Sequence, residues 1–100
     1  MLLLDEPFAS LDAISRAEMQ QWLAGALAAD RRTTVLVTHD VEEALYLSDR
    51  VLVLGSRPAS VTDRIETENP RAADRAAAVT SPEFTKLKER ALRSLAKGAR

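Results

Sequence analysis

Two short apolar runs, each cut off by polar and acidic residues, constrain the fold of this chain more than any other feature. Leu2-Leu3-Leu4 stops at Asp5-Glu6-Pro7, and Thr34-Val35-Leu36-Val37 stops at Thr38-His39-Asp40. Uninterrupted runs of this length read as buried parallel strands, and ligands gather at the carboxyl ends of such strands. Between them, residues 13–29 have helical spacing, with Met19, Trp22, Leu23, Ala26 and Leu27 on one face and Trp22 expected in the core. Strand, helix, strand in that order predicts an α/β sheet.

The alternation continues downstream. Asp30-Arg31-Arg32 is a polar connection into the β-branched strand 33–38, a short helix is expected over 41–47, and 50–54 is a third apolar strand ending in the turn Gly55-Ser56-Arg57-Pro58. Over 60–66, Val61, Asp63 and Ile65 alternate with Thr62, Arg64 and Glu66, which predicts a half-exposed edge strand paired antiparallel. Residues 69–78 contain Pro70, charges and an alanine cluster, and read as a loop or a loosely formed helix. Ser81-Pro82-Glu83 then starts a helix with a capping serine, a first-turn proline and an acid at the positive end of the dipole. Its apolar face is Phe84, Leu87, Ala91, Leu92 and Leu95, opposite Lys86, Arg90, Arg93 and Lys97. Such a helix can bind a membrane surface or a partner, but packing on the sheet with a solvated outer face is the commoner arrangement and the one expected.

Adjacent residues at a strand end point to opposite sides, so Asp5 and Glu6 can divide labour. One carboxylate can help to hold a metal ion at a phosphate chain while the other orients or deprotonates a water. Asp-Glu-Pro is equally an ordinary polar strand exit, because Pro7 stops a central strand and charges favour the surface. His39, the single histidine, lies at the end of the second run, where a ligand site is expected, although a lone histidine can also cap a helix or fill a polar niche. Its imidazole can donate a hydrogen bond to a phosphate oxygen. Asp12 can cap the helix that begins near Ala13, and Asp40 with Glu43 forms a variant of the capping box, so helix initiation is the first role of each. Phe8 and Ala9 are given no chemistry.

Taken together, Leu2-Leu3-Leu4-Asp5-Glu6-Pro7, Ser10-Leu11-Asp12 and Thr38-His39-Asp40 resemble the C-terminal part of an ATP-binding cassette (ABC) ATPase. The resemblance implies a partial P-loop NTPase sheet with flanking helices, with residues 1–100 forming the C-terminal portion of one nucleotide-binding domain. By that resemblance Asp5 is the magnesium-associated aspartate of the Walker B strand, Glu6 the catalytic glutamate and His39 the switch histidine at the terminal phosphate of ATP. Ser10, Leu11 and Asp12 match the D-loop, which reaches a second nucleotide-binding domain. The stretches 44–51, 54–58 and Asn69-Pro70-Arg71, with Phe84-Thr85-Lys86-Leu87-Lys88, are similar to the nitrate, sulfonate and taurine group of importers. Implied partners are a second copy of the domain and transmembrane permease subunits, with a solute-binding protein acting indirectly. The implied place is the cytoplasmic face of the membrane.

A phosphate cradle needs a Gly-x-x-x-x-Gly-Lys-Ser/Thr run, and Gly25, Gly55 and Gly98 stand isolated. No signature motif or glutamine loop occurs either. The resemblance therefore implies a sheet without its phosphate-loop strand and N-terminal half, with 33–38 beside the Walker B strand and 50–54 separated by a vacant slot. ATP and Mg2+ are expected only with that other half, and the chain alone is expected to be inactive. The alternative is a non-catalytic interaction module or a decayed gene product that does not hydrolyse ATP. Fourteen basic and fifteen acidic residues nearly cancel, which argues against a nucleic-acid partner. The absence of cysteine excludes disulfides and thiolate metal sites. No apolar stretch approaches the roughly 20 residues that cross a bilayer, and no export signal is expected.

Overall fold

The computed structural model describes residues 2–30, 33–56, 60–67 and 70–98. Strand β1 (Leu2–Asp5) pairs in parallel with β2 (Thr34–Val37), Leu2 opposite Thr34 and Asp5 opposite Val37. Parallel partners need a long crossover, and helix α1 (Ala13–Ala29) supplies it. Asp12 starts α1 by accepting the Ser15 N–H at 2.8 Å, as its position before the helix predicts. Helix α2 (Val41–Leu47) is started in the same way by Asp40, whose Oδ1 accepts the Glu43 N–H at 3.2 Å.

Strands β3 (Arg50–Leu54) and β4 (Val61–Glu66) form a second sheet, antiparallel, with a bulge between Val53 and Leu54. The alternation over 60–66 thus gives the edge strand it predicts. Helix α3 (Arg75–Val79) is one short helix capped by Asp74, and α4 (Pro82–Gly98) begins where Ser81 accepts the Phe84 N–H at 3.2 Å. Asn69, Arg31, Arg32, Arg57 and Pro58, which fall in expected connections, lie outside the described residues.

The core forms where α2 and α4 meet the second sheet. Leu45, Tyr46 and Leu47 are all buried, as are Val53, Ile65, Phe84 and Ala91, with Leu23 and Ala24 joining from α1. Arg71, whose positive φ of 57° reverses the chain, donates its N–H to the Tyr46 carbonyl at 2.7 Å and a guanidinium N–H to Leu47 O at 3.0 Å. These bonds satisfy carbonyls that the end of α2 leaves unpaired. At the far end, Ser56 N–H donates to Gly98 O at 2.8 Å. A Cβ on Gly98 would stand 2.9 Å from Gly55 Cα, so the two glycines allow α4 to meet the end of β3.

Three packing expectations are corrected. Trp22 is 64% exposed, because the buried line of α1 is Gln20, Leu23, Ala24 and, in part, Leu27. Buried Gln20 fits there by donating to Glu43 Oε1 at 3.1 Å and accepting from Arg75 Nε at 2.9 Å. The apolar strands are covered on one face only: Leu3, Val35 and Val37 point outward, because no described element packs over them. On α4 the inward line runs through Phe84, Leu87, Ala91 and Ser94, which leaves Leu92 and Leu95 exposed. Ser94 takes a core position because its hydroxyl donates to Asp63 Oδ2 at 2.8 Å.

Among the described residues, β2 and β3 do not pair. A trough of about 1240 Å³ runs between them, floored by residues of β2, β3 and the inner sides of α1 and α4. Among the described residues no helix is long and apolar enough to cross a membrane.

Candidate functional site

The parallel pairing brings the carboxyl ends of β1 and β2 side by side, and the polar residues that follow each strand meet there. Glu6 donates its N–H to Val37 O at 2.7 Å, extending the ladder one step beyond β1. Its carboxylate then touches the His39 imidazole at Nδ1. The contact occupies Nδ1 and leaves Nε2 for another group. The His39 side chain is 97% exposed, whereas that of Glu6 is 30% exposed.

Glu6 has a positive φ of 49°, unusual for a residue with a Cβ. Pro7 disfavours the right-handed helical region for the residue before it, and the parallel ladder ends at this point. Such backbone strain persists where the surroundings over-determine it, and it concentrates at functional sites. Beyond Glu6 the chain makes two overlapping turns: Ala9 N–H donates to Glu6 O at 3.3 Å and Leu11 N–H to Phe8 O at 3.1 Å. Phe8 is buried in the core and anchors these turns, a role its sequence position does not announce.

Of the residues singled out in the sequence, Glu6 and His39 are in contact. Asp5 is the exposed last residue of β1, Ser10 is exposed on the turn, and Leu11 is half-buried. Asp12 is exposed and occupied with capping; the Ser15 backbone N–H holds its carboxyl below the usual carboxylate range. Arg16, given no role from sequence, links the two loops. It donates through Nε to Phe8 O at 3.3 Å and through Nη2 to Leu11 O at 2.9 Å, and its Nη1 lies 3.7 Å from Asp40 Oδ2. The only sequence signal is an arginine four residues after the capping Asp12.

The donor set can be tested against a metal and a nucleotide. Among the described residues no group of three histidine or acidic side chains could hold a metal ion. Mg2+ characteristically uses one or two carboxylates together with waters and substrate phosphates, so Asp5 suits an ion that arrives with a nucleotide. Gly25 sits in α1, and Gly55 and Gly98 serve each other's packing.

No family model matches the chain. It is 46% identical over 95 residues to an aliphatic sulfonates import ATP-binding protein of Pseudomonas syringae pv. syringae, covering 95% of this chain and 38% of that protein. The same-named protein of Pseudomonas syringae pv. tomato is 45% identical, with 95% and 39% covered. That of Rhodococcus jostii is 58% identical over 71 residues, with 71% and 29% covered. The chain thus spans between about three tenths and two fifths of the length of these relatives. Along nearly its whole length, the chain resembles part of the ATP-binding subunits of ABC importers.

Proposed function

We propose that this chain is the C-terminal portion of the ATP-binding subunit of an ABC importer, with the aliphatic sulfonates of its relatives as the solute class. The observation that carries this reading is the meeting of Glu6 and His39 at the carboxyl ends of two adjacent parallel strands. Asp5 would hold Mg2+ through the nucleotide, and the ion would neutralise charge on the phosphates. Glu6 would orient and deprotonate the attacking water. Ring Nε2 of His39, free of Glu6, would face the terminal phosphate and donate to it when the ring carries its second proton. Ser10, Leu11 and Asp12 would reach the second nucleotide-binding domain of a dimer. Permease subunits would hold the assembly at the cytoplasmic face of the membrane, with a solute-binding protein delivering the solute.

The trough between β2 and β3 supports a division of the site between two stretches of polypeptide. It lies where the phosphate-loop strand of such a sheet would run, and an added strand there would pair backbone groups on both sides. In this reading the chain alone neither binds ATP tightly nor hydrolyses it. The isolated glycines also favour a second reading, an interaction module without catalysis. Co-expression with a segment bearing a phosphate loop and signature motif, followed by an ATPase assay, separates the two. The proposed function predicts turnover that Glu6→Gln abolishes; equal activity in that variant removes Glu6 as the base, and no turnover favours the interaction module.

A further inference from the structure

We propose that Arg16 is a positioning residue that fastens the turns at residues 8–12 to the start of α2, so that the loop and His39 keep one relative placement. The inference deepens the proposed function, because it joins the segment assigned to a second domain to the residue assigned to the phosphate. One guanidinium reaches three points: the Phe8 carbonyl at 3.3 Å, the Leu11 carbonyl at 2.9 Å and the Asp40 carboxylate at 3.7 Å. The two carbonyls bracket Ala9 and Ser10 and set the loop's curvature. Asp40 follows His39 directly and splits its oxygens, Oδ1 capping α2 and Oδ2 facing Arg16. On the other side of His39, Thr38 Oγ1 accepts the Asp40 N–H at 3.0 Å. His39 therefore projects from a backbone held on both flanks, and Arg16 is the link from that backbone to the loop. A planar fork can meet two carbonyls and a carboxylate at once, whereas a lysine ammonium offers a compact point charge.

Hydrogen exchange on the full chain tests this without any nucleotide and so stands or falls apart from the ATPase reading. In Arg16→Lys, amide exchange at Leu11 and at Glu43, whose N–H is held by Asp40, should both rise roughly three- to tenfold, the scale of one lost hydrogen bond. Core amides such as Ile65 should stay unchanged. Asp40→Asn keeps an oxygen for the α2 cap and removes the charge facing Arg16. It should raise exchange at Leu11 on its own, and adding Arg16→Lys should raise exchange at Glu43 little further. Exchange that rises in the loop alone, an Asp40→Asn loop identical to the parent, or fully additive effects would overturn the proposal.

Discussion

Of the carboxylates that touch basic partners among the described residues, Asp63 and Glu6 are built in opposite ways. Asp63 on β4 has both oxygens saturated: Arg90 donates to them at 2.9 and 2.8 Å, and Ser94 adds a bond of 2.8 Å. Those bonds hold its carboxyl down to about 2, with the Arg90 hydrogen bonds the largest cause, and push Arg90 upward in turn. Glu6 ends an open strand in a strained conformation and touches one ring nitrogen of an exposed histidine. A saturated carboxylate is a fastener, here joining α4 to the second sheet. An unsaturated one beside an exposed imidazole retains capacity for chemistry. The molecule thus separates a packed region around β3, β4, α2 and α4 from a thinly covered edge that carries the candidate site.

Substitutions at Glu6 and at Ile65 should separate the two regions most strongly. In the ATPase assembled with a phosphate-loop segment, Glu6→Gln should lower turnover by about 10²–10⁴-fold, the range for a positioned general base. The melting temperature should barely change, because the altered group lies on the open edge. Ile65→Ala should do the reverse. Ile65 is fully buried, and its truncation should reduce unfolding free energy by about 2–5 kcal/mol, read from urea denaturation. A loss below about 1 kcal/mol would mean that the second sheet is not the packed anchor.

Asp63→Asn tests the fastener through pH. The folded-state pKa lies below the ordinary 3.8, so the native state binds fewer protons there. The stabilisation is present above about pH 4 and is lost as pH falls through about 2. The variant should melt lower at neutral pH, and its melting temperature should fall less steeply than the parent's between pH 4 and 2. Parallel curves would show that Asp63 contributes nothing through its charge. The smallest effect belongs to Trp22→Gln. An aromatic side chain 64% exposed should change stability by no more than about 0.5 kcal/mol, whereas a core tryptophan would give several times that.

Much of this architecture was legible in local pattern. Asp12, Asp40 and Ser81 cap the helices they precede because a side-chain oxygen before an apolar periodic stretch has few other uses. The period-two alternation over 60–66 gives a strand with Ile65 inward. Trp22 misleads because hydrophobicity alone selects the wrong side of α1; its buried line includes Gln20, whose amide is satisfied only by Glu43 and Arg75 from distant segments. Of the candidate site, the chemistry-bearing residues were legible as strand exits. Their support was not: the burial of Phe8, the Glu6 conformation and the Arg16 clamp all arise when the β1 exit closes on the β2 exit. Tyr46 follows the same rule. Its hydroxyl finds the Ala72 carbonyl at 2.7 Å only in the folded chain, and burial pushes its phenol up.

In the proposed function the chain carries one half of a nucleotide site, its carboxylates and histidine completed by a phosphate loop on another stretch of polypeptide. Titrating Mg2+·ATP into the 100-residue chain by calorimetry tests it most directly. No saturable binding at micromolar nucleotide is expected for the chain alone, and binding should be restored when a phosphate-loop segment is supplied. Micromolar, Mg2+-dependent affinity of the chain by itself would contradict it.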